Sequence, residues 1–285
     1  MRHIRTRRPP LAAAGALAAI VSAACAAGAA RPHLVQLRDV PQRPSYRLDW
    51  IRDYRAAAAV AMAIMEQELG IPRLDEVTLH FLPDRDALRS VLIAEGRQPA
   101  SAAETASLMD AISGYRRVYF NLMSLEQLPW PARVGFIAHE LTHALQYELA
   151  LGRRGTSEQW LREGFADWVA SRVLATLGVV RREAFEARRA AEYRAGVNPG
   201  PALAEMVTFE AWMTALSTRA DAPPVFAKAF LAVDFLVERH GAGRIIDYFT
   251  RFAGSDDRLG HFTTAFGESL PAFERALDEH LARRR

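Results

Sequence analysis

Apolar residues recur along the chain with two different spacings. Over residues 48–69 the apolar positions are spaced as on one face of a helix, and Gly70 ends the pattern. Residues 76–82 and 115–122 are short and rich in β-branched and aromatic residues, which favours strands. The remaining periodic stretches predict further helices at about 85–95, 132–150, 157–177, 202–217, 224–240, 243–253 and 269–283. The pattern therefore predicts an α+β protein.

These elements divide the chain into four parts. Residues 1–30 stand apart from the fold, and residues 31–72 are predicted to be a linker followed by an N-terminal helix. Both strands fall within residues 73–177, which predicts a small α+β unit. Residues 178–285 contain helical patterns alone, which predicts a mostly helical C-terminal domain.

The first thirty residues have the pattern of an export signal. A basic stretch with Arg7 and Arg8 precedes an apolar segment at 11–24, and small residues follow as cleavage sites. We therefore expect an exported protein, periplasmic or secreted. The arginine pair leaves open twin-arginine export, and Cys25 after Ser-Ala-Ala leaves open a lipid anchor.

Composition narrows the possible partners. The formal net charge of +3 falls to −1 once the four arginines of residues 1–30 are removed, so charge gives no reason to expect nucleic acid. Beyond the N-terminus no apolar run reaches eighteen residues without a charge, so no transmembrane span is expected in the mature chain.

The segment His139-Glu140-Leu141-Thr142-His143 lies within the predicted helix 132–150. Positions four apart on a helix share a face, so both imidazoles can bind one zinc ion at about 2.0–2.1 Å. Glu140 lies about 100° further round the helix, where it can stay off the metal and still contact a water bound to it. This spacing predicts a zinc site with Glu140 as general base.

A catalytic zinc site needs a third protein ligand and an open position. Glu163 and Asp167, in the next predicted helix, are four residues apart and share a face. They could be an ordinary acidic surface pair, but like charges at this spacing repel, and a nearby cation would explain them better. Gly164 removes a side chain beside Glu163, which would let the two helices approach closely. We expect Glu163 to be the third ligand.

The pattern His139-Glu140-x-x-His143, then nineteen residues, then Glu163, resembles the gluzincin metallopeptidases. The spacing is similar to that of thermolysin, and the segment WLREGFADWV is similar to aminopeptidase-N-like enzymes and peptidase MA-like domains. The resemblance implies a zincin-like catalytic domain over residues 73–177, with a small mixed sheet and a Zn²⁺ cofactor held by both histidines and Glu163. It also implies that Asp167 orients a ligand histidine and that the strand at 115–122 is the edge that pairs with substrate.

The same resemblance leads us to expect a tyrosine as hydrogen-bond donor to the oxyanion, where this chain has Phe226. Tyr193, His240, Tyr248 and His261 are the alternatives. The predicted function is hydrolysis of peptide bonds in a peptide or protein substrate. The alternative is a zinc-binding module that recognises or chaperones an exported partner without cleaving it.

Overall fold

A computed structural model describes residues 33–153, 157–195, 201–217 and 223–283. The described residues form a mostly helical α+β structure around one small mixed sheet. The strands are β1 (His33–Gln36), β2 (Thr78–Leu82), β3 (Ala111–Gly114) and β4 (Arg117–Asn121). The helices are α1 (Tyr54–Gln67), α2 (Arg85–Ala94), α3 (Pro99–Leu108), α4 (Leu122–Leu125), α5 (Trp130–Leu149), α6 (Gln159–Thr176), α7 (Arg182–Ala195), α8 (Phe209–Ser217), α9 (Pro223–His240), α10 (Ala242–Arg251), α11 (Arg258–Phe266) and α12 (Leu270–Arg283).

The strands lie in the order β1-β2-β4-β3. β2 and β4 are parallel, and each outer strand is antiparallel to its neighbour. The prediction that residues 115–122 form the edge strand is wrong, because β4 pairs on both sides. The edge nearest α5 is β3, a four-residue strand too short to show in the pattern. Similarly, β1 lies in the stretch predicted to be a linker.

Local capping explains where the first helices begin. The Asp53 carboxylate accepts a hydrogen bond from the Ala56 amide at 2.7 Å, so α1 begins at Tyr54 and not at residue 48. Asp84 caps α2 in the same way at 2.8 Å. The predicted helix 202–217 is in fact a 3₁₀ turn at Leu203–Met206 followed by α8.

One hydrophobic core covers one face of the sheet and continues into the C-terminal helices. Leu79, Phe81, Val118 and Phe120 of the sheet belong to the same cluster as residues of α1, α5, α6, α9, α10 and α12. A smaller cluster on the opposite face joins Tyr119 to α2 and α3. Within the described ranges, no helix has the length and apolar character needed to cross a lipid bilayer.

Helices α5 and α6 pack against each other, and α6 packs in turn against α9. Gly164 lies at the second of these contacts. A Cβ on Gly164 would lie 2.3 Å from the carbonyl oxygen of Ala229 in α9. The glycine thus allows a close approach between helices, but the partner is α9 and not the helix that carries His139.

Candidate metal and active site

The structure brings His139, His143 and Glu163 together. The two Nε2 atoms are 3.2 Å apart, and each lies 3.6 Å from Oε2 of Glu163. Ligand atoms around a tetrahedral zinc with bonds of about 2.0–2.1 Å are about 3.3–3.5 Å apart. The three side chains are mostly buried, with exposures of 13%, 16% and 16%. This donor set and its spacing fit a zinc ion.

A further hydrogen bond fixes each of the three side chains. Nδ1 of His139 lies 3.1 Å from Oδ1 of Asp167, and Nδ1 of His143 lies 3.0 Å from Oε1 of Gln146. A proton on each Nδ1 leaves each Nε2 with its lone pair for a metal. On Glu163, Oε1 accepts a hydrogen bond from Gln159 at 2.7 Å, which leaves Oε2 facing the histidines.

The electrostatics indicate a place for a cation. Burial lowers the pKa of His139, but hydrogen bonds to Asp167 and Glu163 outweigh it, and that pKa is raised well above its ordinary value. Burial raises the pKa of Glu163, but the charge of His143 and hydrogen bonds from both histidines outweigh it, so this pKa is lowered. The buried carboxylates thus favour positive charge on the imidazoles, a charge that a metal ion can supply instead.

The predicted orienting residue, Asp167, has a partner that the sequence did not reveal. Arg189 of α7, fully buried, donates a hydrogen bond to Oδ2 of Asp167 at 2.5 Å. Burial raises the pKa of Asp167, but the charge of Arg189 and the hydrogen bond to His139 outweigh it, and this pKa is lowered. Asp167 therefore connects the cluster of His139, His143 and Glu163 to α7.

Glu140 is held by the edge strand. The Ser113 hydroxyl of β3 lies 2.8 Å from Oε2 of Glu140 and 2.9 Å from its carbonyl oxygen, and donates to them. Glu140 is buried within α5, but it lines the same cavity as the two histidines and Glu163. The cluster of possible metal ligands consists of His139, His143 and Glu163 and does not include Glu140.

A cavity of about 240 Å³ opens beside this cluster. Phe226 lines it and packs edge-on against Trp212, with ring centroids 5.0 Å apart. None of the four alternative oxyanion donors lines the cavity, although all four lie in the described ranges: Tyr193, His240, Tyr248 and His261. The hydrogen-bond donors that do line it include Tyr147 and Arg162.

Gln146, Gln159, Ser113 and Arg189 were missed by sequence reasoning. Gln146 and Gln159 carried a usable signal, because they lie three residues after His143 and four before Glu163 on the same helices. Ser113 and Arg189 carried none, since each reaches the site from an element that the pattern did not predict. Cys25 and the predicted export signal lie outside the described residues.

Comparison of the chain with protein-family models, curated proteins and solved structures gives no match.

Proposed function

We propose that this protein is a zinc-dependent peptidase. The proposal depends on one observation: His139, His143 and Glu163 converge with ligand atoms within 4.8 Å of one another, on the wall of an open cavity that Glu140 also lines. A structural zinc site normally has four protein ligands, mostly Cys and His. Hydrolytic zinc sites have three protein ligands and a neighbouring carboxylate. The gluzincin resemblance supports the same interpretation, a zincin-like catalytic domain.

The residues of this chain have separate roles in the proposed reaction. His139, His143 and Glu163 would hold the zinc ion, which lowers the pKa of water and polarises the substrate carbonyl when bound. Glu140 accepts a proton from the attacking water and passes it to the leaving amine. Asp167 and Gln146 hold the imidazoles in the tautomer that presents Nε2.

The edge of the sheet supports a peptide as substrate. Ala111, Ile112 and Ser113 of β3 line the cavity, and in the described ranges no strand pairs with the outer edge of β3. An extended peptide can add to such an edge through main-chain hydrogen bonds. The scissile bond would then lie close to Glu140, which Ser113 contacts.

The test combines metal analysis with cleavage of a peptide library. We expect about one zinc per wild-type chain. His143→Ala should lose zinc, and Glu163→Ala should bind it much more weakly. Glu140→Gln should retain zinc and lose turnover, because it removes the base and no ligand. Glu148→Gln is the matched control, since Glu148 lies on the same helix, accepts a hydrogen bond from the Arg116 amide and does not line the cavity.

Three results would each count against the proposal. Full zinc retention in His143→Ala would exclude this metal site. Unchanged turnover in Glu140→Gln would exclude the general base. Zinc in the wild type without cleavage of any library peptide would favour the non-cleaving zinc-binding module.

We also propose that the protein is exported, from the basic and apolar stretches within residues 1–30. Mass spectrometry of the exported protein should find a mature N-terminus between about residues 25 and 31. A diacylglyceryl adduct on Cys25 would identify a lipid anchor. An exported protein that still begins at Met1 would contradict the predicted signal.

A further inference from the structure

One wall of the cavity is apolar and belongs to α8 and α9. Phe209, Trp212, Met213 and Leu216 follow the i, i+3, i+4, i+7 spacing that places them on one face of α8. All four line the cavity, and Phe226 of α9 joins them. Every cavity-lining side chain that α8 and α9 contribute in the described ranges is therefore apolar.

Exposure changes along this wall from its base to its rim. Trp212, Leu216 and Phe226 are buried at 2%, 3% and 8% exposure, and the edge-on Trp212–Phe226 pair fixes the base. Phe209 at the rim is 36% exposed, one of the few large apolar side chains that the described surface leaves open. A rigid base with an open apolar rim is the form of a pocket that a ligand completes.

We infer that this wall is the specificity pocket of the proposed peptidase, and that it accepts a large aromatic or branched apolar side chain beside the scissile bond. The inference rests on the proposed function. The wall shares its cavity with His139, His143, Glu140 and Glu163, so a side chain in contact with it belongs to a residue close to the cleaved bond. Phe226 then serves to hold substrate, which explains a phenyl ring where the resemblance predicts a hydroxyl.

The cationic side chains of the cavity do not favour an acidic residue at this wall. Arg153 is paired with Asp256 at 3.0 Å, and Arg162 donates to Gln159. Both arginines lie outside α8 and α9. Arg97, which also lines the cavity, lies in the loop between α2 and α3. A carboxylate placed against Phe209 and Met213 would lose water without gaining a charged partner from those two helices.

The experiment compares substrates that differ only in one residue flanking the cleaved bond. Once a library has located that bond, peptides with Phe, Leu, Ala or Glu at the flanking position are assayed with wild type, Phe209→Ala and Met213→Arg. Glu210→Ala is the matched control, because Glu210 is exposed on the same helix and does not line the cavity. Zinc content and thermal unfolding establish that each variant is folded and loaded.

We expect kcat/KM for the Phe or Leu peptide to exceed that for the Ala peptide by about 10-fold or more in the wild type, since a single methylene in an apolar pocket already changes this ratio by about 10–200-fold. Phe209→Ala should reduce the ratio several-fold. Met213→Arg should reduce it further and raise kcat/KM for the Glu peptide. Glu210→Ala should keep the wild-type ratio. Calorimetric titration of zinc-loaded Glu140→Gln with the same peptides should give tighter binding of Phe than of Ala without turnover.

Two kinds of failure are distinguishable. If the cleavage rate does not depend on the flanking side chain, or is highest for Glu, the specificity pocket is contradicted but the proposed peptidase activity is not. The same holds for a ratio that Phe209→Ala and Met213→Arg leave unchanged in zinc-loaded protein. A wild type without zinc, or one that holds zinc and cleaves no peptide, overturns the proposed function and this inference with it.

Discussion

At the scale of single residues, the pairing of Asp167 with Arg189 supports the candidate metal site through His139. Both side chains are buried, at 6% and 0% exposure, and the nitrogen and oxygen lie 2.5 Å apart. The attraction between buried charges offsets the cost of removing them from water only while both partners are present. Removing one leaves a buried charge beside His139.

This pairing predicts a rescue. Arg189→Met should lower the free energy of unfolding by about 3–5 kcal/mol, because it removes the guanidinium that pairs with the buried Asp167 carboxylate and leaves His139 as the remaining partner. The double variant Asp167→Ala/Arg189→Met should be more stable than Arg189→Met alone, although it carries more changes. Its zinc affinity should still be about 10–100-fold below wild type, because His139 has lost its hydrogen-bond partner. Denaturant unfolding and zinc titration measure the two quantities.

Arg188→Met is the control for this pair. Arg188 neighbours Arg189 on α7, but its side chain is 32% exposed and lies 3.7 Å from Glu192. Its loss should change the unfolding free energy by less than about 1 kcal/mol. Wild-type zinc affinity in the double variant would mean that Asp167 does not orient the ligand histidine.

Helical spacing alone could predict pairs on one helix face, while the role of Asp167 toward a histidine of another helix was implied only by the gluzincin resemblance. His139 and His143, or Glu163 and Asp167, are related by a fixed helical spacing. Arg189 lies in a segment rich in arginine, REAFEARRAAEYRA, where no local pattern separates a buried arginine from an exposed one. Only the packing of α7 against α9 decides which arginine points inward.

At the scale of elements, the contact between α6 and α9 positions Glu163. A Cβ atom added to Gly164 would lie 2.3 Å from the Ala229 carbonyl oxygen and 2.8 Å from a methyl group of Val233. The first of these atoms belongs to a helix backbone and cannot move without moving α9. Side-chain volume at position 164 therefore acts directly on the residue next to the predicted third ligand.

Gly164→Ala should lower the free energy of unfolding by about 1–3 kcal/mol or more, despite the higher helix propensity of alanine. Zinc affinity should fall with it, since α6 must shift. Gly243→Ala in α10 is the matched control, because a Cβ there has no atom within 4 Å. That change should leave zinc affinity unaltered and alter stability by no more than about 1 kcal/mol. Equal behaviour of the two variants would contradict the close contact.

The elements that the pattern predicted are those with enough apolar residues to show a period. α2, α5, α6, α9, α10 and α12 were predicted close to their observed bounds. α3 is built largely of alanine, serine and threonine, and β3 has only four residues, so neither carries a strong period. The order of the strands could not be predicted, because it depends on contacts distant in sequence.

At the scale of the whole molecule, the division predicted at residue 178 crosses one continuous core. Trp160 of α6 stacks on Phe273 of α12 with centroids 6.1 Å apart, and Trp168 donates a hydrogen bond to Asp234 of α9 at 3.1 Å. Helical periodicity reports the face that an element buries, but not the element against which it is buried. The C-terminal helices thus form part of the support for α6.

Glu158, the residue before α6, makes this support dependent on pH. Its side chain is fully buried, its carboxylate lies 3.1 Å from Arg258 of α11, and its amide donates to the Tyr248 hydroxyl of α10 at 3.1 Å. Burial raises the pKa of Glu158 to about 7, although Arg258 opposes the shift. The folded protein therefore retains a proton that the unfolded chain has released above its ordinary pKa of 4.5.

A carboxyl group whose pKa is higher in the folded protein than in the unfolded chain lowers the free energy of unfolding as pH rises between those two pKa values. Glu158 should therefore lower the free energy of unfolding progressively from about pH 4.5 to about pH 7, by at most about 3 kcal/mol. Denaturant unfolding of wild type and Glu158→Gln at pH 5 and pH 8 measures this, and the titration of the ligand histidines cancels in the difference. Glu279→Gln, an exposed acid of α12, should follow the wild type. A Glu158→Gln variant whose stability changes with pH just as the wild type does would show that Glu158 titrates normally in the folded protein.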